Sequence, residues 1–141
     1  MTLIARGNDP TGHGYYGASR GVRKHEGFDL VTIAGENVFA PHDGVVRIGN
    51  VYKKTKPNKP VMKLIEFKDH EYITKIMYVK SDLRTGAFVK AGDFVGVAQN
   101  ITSYHTENEK DSDSEMLNHI HISVWKNGLM TDPEPLLPWK I

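Results

Sequence analysis

The apolar positions of this chain fall into short runs, many of which alternate with polar positions. The clearest alternation lies in residues 117–125. One face of this segment would carry Ile120, Ile122 and Val124, and the other His119, His121, Ser123 and Trp125. Successive side chains of a β-strand point to opposite faces, so the pattern predicts a half-buried strand on which the two histidines share a face, with their backbones roughly 6.5–7 Å apart.

Similar short runs, separated by turn-forming residues, predict further strands at residues 28–33, 38–40, 45–48, 61–67, 72–79 and 94–98. The turn at residues 41–44 predicts a hairpin between the second and third of these strands. The turn at residues 68–71 predicts a second, central hairpin. No long amphipathic helix is evident, so the chain is predicted to be all β or nearly so, as a single domain over residues 1–141.

Composition narrows the class of protein. The chain has 141 residues, of which 39% are hydrophobic and 25% charged, which is typical of one globular domain. The net charge of +1 gives no reason to expect nucleic acid or an anionic membrane as a partner. No apolar run approaches the roughly 18 residues that a membrane-spanning helix needs. Few apolar residues precede Arg6, so no secretory signal is predicted there.

The chain contains no cysteine, so any metal must be held by histidine or carboxylate side chains. The spacing of His119 and His121 suits two nitrogens that converge on one metal, or one ligand beside an acid/base. Two surface histidines on an edge strand would give the same pattern. Asp29 lies between Phe28 and Leu30. A carboxylate there requires a cation, a metal or several hydrogen-bond donors, and a salt-bridged aspartate is the ordinary alternative.

Two charged segments flank these patterns. Residues 51–60 are rich in lysine and proline, and they are predicted to form either a plain surface loop or a contact for an anionic polymer. Residues 107–115 are acidic and are predicted to form a mobile surface loop near the histidine strand. His42 falls in a predicted turn and is expected to be exposed.

Five motifs occur in an order that resembles a known family. They are His25-x-x-x-Asp29, the run VFAPHDGVV at 38–46, the run VKAGDFVG at 89–96, His119-x-His121, and Asp132-Pro133. Their order and spacing resemble the lysostaphin-type zinc endopeptidases, which share the duplicated hybrid motif fold. The resemblance extends from about Gly12 to Leu137.

The resemblance implies a mainly β fold with a groove over a twisted antiparallel sheet. Zinc would be held by His25, Asp29 and His121, with His119 beside it as a catalytic histidine. Three protein ligands with a fourth position for water form the open arrangement of a catalytic zinc site. The implied substrate is peptidoglycan or a glycopeptide, met at the cell wall or outside the cell.

One position departs from the family pattern. Family enzymes carry a catalytic histidine in a Tyr-x-His-Leu segment, and Lys80 occupies that place here. A lysine accepts a proton at neutral pH only if its pKa is strongly lowered, although its charge could stabilise an oxyanion. His70 and His105 are candidates to replace the missing group.

The segment around Lys80 resembles the branch that includes the vertebrate leukocyte chemotaxin, which keeps the zinc ligands but is regarded as a binding protein. The leading interpretation is a zinc endopeptidase with weak activity on peptidoglycan. The alternatives are a zinc-stabilised binding module that cleaves nothing and a structural domain of a phage particle or secretion machine.

Overall fold

The computed structural model describes residues 4–5, 8–9, 12–13, 19–20, 23–24, 27–105 and 117–132. The elements within these ranges, in chain order, are β1 (Ile4–Ala5), β2 (Asn8–Asp9), β3 (Gly12–His13), β4 (Ser19–Arg20), β5 (Arg23–Lys24), β6 (Phe28–Val31), β7 (Asn37–Phe39), β8 (Gly44–Asn50), β9 (Lys63–Lys68), β10 (Tyr72–Met77), β11 (Val79–Lys80), β12 (Phe88–Val89), β13 (Phe94–Ala98), α1 (Ile101–His105), β14 (His119–Lys126) and β15 (Leu129–Thr131). The prediction of a mainly β chain with few helices is confirmed.

The principal sheet is antiparallel and holds the histidine strand near its middle. Its strand order is β1-β6-β14-β10-β9-β8-β12, with β15 paired to β14. β14 therefore pairs with β6 through residues 119–122 on one side and with β10 through residues 121–126 on the other. The predicted position of this strand inside the sheet is confirmed.

The predicted hairpin of residues 38–40 and 45–48 is wrong. β7 pairs with β13 in a smaller sheet of order β11-β13-β7, whereas β8 pairs with β9 in the principal sheet. Residues 41–44 therefore carry the chain from one sheet to the other. Hydrogen bonds to the turn at residues 91–93 stabilise this crossing, because Ala40 N donates to Asp93 O and Ala91 N donates to Asp43 Oδ1, each at 2.8 Å.

The predicted central hairpin is confirmed, since β9 and β10 pair with Ile65 opposite Ile76. However, β10 ends at Met77, and the predicted strand is divided at Tyr78, whose φ is +72°. Tyr78 N donates to Lys63 O and its carbonyl accepts from Gln99 N, each at 2.8 Å. These bonds hold an unusual backbone conformation at the point where the chain passes to the smaller sheet.

The core lies on one face of the principal sheet and includes the apolar side chains predicted for β14. Ile120 and Ile122 are 0% exposed and Val124 is 1% exposed. They pack with buried side chains of neighbouring strands, including Phe28, Leu30, Ile65, Phe67 and Ile76. The opposite face of β14 is thereby left to its histidines. In the part of the chain that is described, no helix is long and apolar enough to cross a membrane.

Candidate active site

The register of β6 and β14 brings Asp29 and His121 face to face. The two residues are directly paired across the antiparallel ladder, so their side chains share a face of the sheet. His121 Nδ1 lies 2.6 Å from Asp29 Oδ1, and the Asp29 side chain is 1% exposed. An ionised carboxylate can only accept, so Nδ1 is the donor of this hydrogen bond. The predicted need of Asp29 for a donor or a cation is met at this position.

The second ring nitrogen of His121 faces a different partner. Nε2 lies 3.2 Å from Ser123 Oγ, and Ser123 is 2% exposed. Gly27 provides the space next to this nitrogen, because a Cβ at that position would lie 2.5 Å from Nε2 and 2.5 Å from Ile122 O. The two nitrogens of His121 are therefore held in distinct surroundings.

His119 lies beside this pair and is 4% exposed. Its Nδ1 is 2.8 Å from Leu117 O, and a carbonyl oxygen only accepts, so Nδ1 carries a proton. In the neutral ring Nε2 is then the nitrogen that can take up a proton. Nε2 lies 3.9 Å from Asp29 Oδ2. This arrangement suits an acid/base histidine next to a buried carboxylate.

Aromatic rings connect His119 to the lysine-rich loop at residues 51–60. The Tyr78 ring packs edge-on against His119, with centroids 5.7 Å apart, and its hydroxyl is hydrogen-bonded to Tyr52. Tyr52 stacks on Tyr104 with centroids 5.0 Å apart. Burial raises the pKa of the Tyr52 hydroxyl, against the opposing effect of the hydrogen bond to Tyr78. Lys56 Nζ lies 4.4 Å from the centre of the Tyr104 ring.

Other predicted site residues are placed differently. Lys80 is exposed on β11, where it pairs with Val97. His70 is exposed and precedes the first residue of β10, Tyr72, which pairs with Lys126. His121 pairs with Met77, at the opposite end of β10. At about 3.3 Å per residue these ends are roughly 17 Å apart, so His70 cannot replace the missing histidine.

His25 lies outside the described residues, as do the acidic segment 107–115 and Pro133. The backbone of His105 ends α1, and nothing is described of its side chain. The predictions that involve these residues remain predictions.

The described part of the site supplies two of the three predicted zinc ligands. Within residues 27–105 and 117–132, no group of three or more His, Cys, Asp or Glu side chains could hold a metal ion. The two described ligands, Asp29 and His121, nevertheless fit zinc in chemical type. The buried Asp29 carboxylate meets an imidazole nitrogen of His121 at hydrogen-bond distance. Zinc accepts both ligand types, and a further nitrogen from His25 would complete three protein ligands.

A family model described as peptidase family M23 matches residues 23–133. The chain belongs to peptidase family M23. The matched stretch contains the predicted ligands and Lys80, and the predicted family is confirmed. Membership supports the prediction of a hydrolase that cleaves peptide bonds. The closer likeness to the leukocyte chemotaxin branch remains a prediction.

Solved structures of three proteins are similar to this M23 chain in fold. The catalytic domain of the antimicrobial peptidase lysostaphin from Staphylococcus simulans is 19% identical, with a TM-score of 0.59 and coverage of 88% of each chain. LytU is 24% identical, with a TM-score of 0.59 and coverage of 96% of this chain and 88% of its own. A variant catalytic domain of the prophage-encoded M23 protein EnpA from Enterococcus faecalis is 18% identical, with a TM-score of 0.56 and coverage of 94% and 88%. No curated protein matches this chain in sequence.

Three residues that position the site were not singled out from the sequence. Tyr78 contacts His119, Ser123 contacts His121, and Asn118 holds the start of β14. The Asn118 side chain accepts from Ile101 N at 2.8 Å and donates to Gln99 O at 3.1 Å. The alternation in residues 117–125 does place Ser123 on the histidine face, which is the one sequence signal that could have identified it.

The expectation that His42 is exposed is wrong. Its Nε2 lies 2.8 Å from Thr74 Oγ1, its Nδ1 lies 2.7 Å from Asp43 O, and its side chain is 17% exposed. The Thr74 side chain points into the core and is 1% exposed, so this histidine satisfies a buried hydroxyl.

Proposed function

We propose that this chain is a zinc-dependent endopeptidase that cleaves peptide bonds of bacterial peptidoglycan. The observation that supports it most directly is the buried Asp29 carboxylate, which meets His121 at 2.6 Å and has His119 beside it at 3.9 Å. A buried carboxylate between two imidazoles is an unusual arrangement for purely structural packing, because charged groups are costly to bury. Membership of peptidase family M23 supports the same chemistry.

Asp29 and His121 would hold the metal together with His25. Bound zinc would polarise the scissile carbonyl and lower the pKa of a water molecule, which supplies a nucleophile without serine or cysteine. His121 Nδ1 would give up its proton in order to share a cation with Asp29, and the hydrogen bond seen between them marks the two atoms involved.

His119 would handle protons during the reaction. Its Nδ1 is fixed on Leu117 O, so Nε2 is the atom that can accept a proton from water and return it to the leaving amine. The edge of the Tyr78 ring restricts how the imidazole can turn. These contacts orient His119 next to the Asp29 carboxylate, whose Oδ2 lies 3.9 Å from Nε2.

Peptidoglycan is proposed as the substrate from family analogy. Lysostaphin, whose catalytic domain has a similar fold, is described as an antimicrobial peptidase. The lysine-rich loop at residues 51–60 is linked to the site through Tyr52 and Tyr78, so it is positioned to influence what is bound.

A second candidate function is supported by Lys80. This exposed lysine stands where the family pattern has a catalytic histidine, and it cannot act as a base at neutral pH while it is charged. The chain would then be a zinc-stabilised module that binds a glycopeptide and cleaves nothing.

Digestion of purified peptidoglycan tests the proposal and separates the two functions. Wild-type protein and the variants His121→Ala and His119→Ala are incubated with it, and newly released amino groups are measured. If the chain is an endopeptidase, the wild type should release amino groups and a zinc chelator should stop that release. Both variants should release none. The wild type could instead sediment with peptidoglycan and release no amino groups even when zinc is present. That result would contradict the endopeptidase and support the binding module.

A further inference from the structure

We infer that Ser123 is a positioning residue that selects the metal-binding form of the His121 ring. The inference rests on the proposed function, because it concerns how His121 binds zinc. It adds to that function a residue that would act on zinc binding through His121. Its basis is the contact of 3.2 Å between Ser123 Oγ and His121 Nε2. Ser123 is buried, at 2% exposure.

The two nitrogens of His121 have separate tasks. Nδ1 faces Asp29 at 2.6 Å, so it is the nitrogen on the side of the proposed metal. A nitrogen binds a metal through its lone pair, and the neutral ring then carries its single proton on the other nitrogen. If zinc is held at Nδ1, that proton would therefore lie on Nε2, which faces Ser123.

A hydroxyl is suited to this position because it can both donate and accept a hydrogen bond. Without metal, the neutral ring has its proton on Nδ1, which donates to Asp29, and Nε2 accepts from the Ser123 hydroxyl. With metal held at Nδ1, the single proton of the neutral ring would lie on Nε2, which would donate to the same hydroxyl. The ring can thus change its protonated nitrogen without losing a partner.

The surroundings reinforce the orientation. Ser123 and His121 lie two residues apart on β14, so both side chains point to the same face of the sheet. Gly27 on the neighbouring segment contributes no side chain, and a Cβ there would lie 2.5 Å from Nε2. The imidazole is therefore confined between Asp29 and Ser123, and a rotated ring would lose both contacts.

Groups that hold the outer nitrogen of a metal-binding histidine commonly raise metal affinity by about 10–100-fold. Ser123→Ala removes the hydroxyl and is expected to weaken zinc binding by about that factor. Ser123→Thr keeps the hydroxyl and is expected to bind zinc nearly as tightly as the wild type. Thr74→Val is the matched control, because it removes another buried hydroxyl, on the core face of β10, and should leave zinc affinity unchanged.

The experiment measures zinc affinity by competition with a chromophoric chelator, and thermal unfolding of each metal-free variant reports whether the variant folds. Long-range ¹H–¹⁵N spectra of the wild type, with and without zinc, show which nitrogen of His121 carries the proton. The second readout does not depend on any variant or on peptidase activity. The expected result is a proton on Nδ1 without zinc in the neutral ring and on Nε2 with zinc.

Three results would overturn the inference. The first is a folded Ser123→Ala protein that binds zinc as tightly as the wild type. The second is equal weakening by the alanine and threonine variants although both fold. The third is a His121 proton that stays on Nδ1 in the zinc-loaded wild type. A wild-type protein that binds no zinc would instead contradict the proposed function, so the two failures can be distinguished.

Discussion

Asp29 and His121 are directly opposed across the β6–β14 ladder, and their side chains meet at 2.6 Å on the face away from the core. This single pairing joins the two histidine-containing motifs of the sequence, which are more than ninety residues apart along the chain. It places a buried carboxylate where a cation could be shared with an imidazole. The proposed zinc chemistry depends on this pairing more than on any other contact.

His119→Ala is expected to retain zinc and to lose most of the cleavage activity. His119 is held on Leu117 O and is not one of the predicted ligands, so its loss should remove proton transfer but not metal. Loss of a general acid/base costs about 10²–10⁴-fold in rate. Zinc content and the rate of amino-group release are measured on the same preparation. His70→Ala is the control, because that histidine is exposed at the other end of β10. Undiminished cleavage by His119→Ala would remove this residue from the mechanism.

Lys80→His is expected to keep or raise the cleavage rate and to leave zinc binding unchanged. The substitution restores the family pattern at an exposed position of β11, and an imidazole can exchange protons near neutral pH. Initial rates on purified peptidoglycan are compared with the wild type and with Lys90→His, which makes the same change at an exposed turn. If Lys80→His abolishes strong wild-type cleavage, the lysine belongs to a distinct mechanism.

Gly27→Ala is expected to weaken zinc binding because it displaces His121. Gly27 has a φ of +153°, and its added Cβ would lie 2.5 Å from both Nε2 of His121 and the carbonyl of Ile122. Backbone strain at such a φ costs about 1–3 kcal/mol in the free energy of unfolding. Gly35→Ala separates the two effects, because Gly35 has a φ of +89° and nothing within 4 Å of its added Cβ. The Gly35→Ala protein should be less stable than the wild type but should bind zinc equally well. Equal zinc affinity of Gly27→Ala and Gly35→Ala would contradict the predicted clash.

The Arg47–Glu66 pair is expected to contribute a small, pH-dependent stabilisation. The Arg47 guanidinium donates two hydrogen bonds of 2.8 Å to Glu66, and it lowers the pKa of that carboxyl below its ordinary 4.5, against the opposing effect of burial. Because the folded pKa is the lower one, the stabilisation is present above pH 4.5 and is lost as the pH falls through the folded value.

Urea unfolding of the wild type and of Glu66→Gln measures this contribution. The wild type should be more stable at neutral pH by about 0.2–1 kcal/mol, since Arg47 is half exposed and solvent screens the pair. The difference in stability should shrink in acid, because the protonated Glu66 of the wild type is then uncharged, like the glutamine of the variant. A difference that is the same at neutral and acidic pH would mean that the ion pair is not its cause.

The histidine strand could be predicted from the sequence because its pattern depends only on the period of a β-strand. Alternation along residues 117–125 is enough to bury Ile120 and Ile122 and to leave His119 and His121 on the other face. The demand of Asp29 for a partner likewise followed from its two apolar neighbours. In both cases a local pattern determines what the fold must satisfy.

Other features depend on contacts between distant segments and left no local signal. The break at Tyr78 is stabilised by hydrogen bonds to Lys63 and Gln99, and positive φ at a tyrosine has no sequence pattern. The partner of β7 was predicted wrongly because a short turn suggests a hairpin, whereas this turn joins two sheets. His42 was expected in solvent because it falls in a predicted turn. Its partner, Thr74, lies 32 residues away and could not be identified from the local sequence.

The central claim is that zinc bound through Asp29 and His121 makes this chain cleave peptidoglycan. It is tested most directly by adding zinc stepwise to chelator-stripped protein and measuring the rate of amino-group release from purified peptidoglycan at each step. The account predicts no cleavage by the stripped protein and a rate that rises with bound zinc until one equivalent per chain is reached. Full-rate cleavage by the stripped protein, or uncut peptidoglycan after one equivalent of zinc has bound, would contradict it.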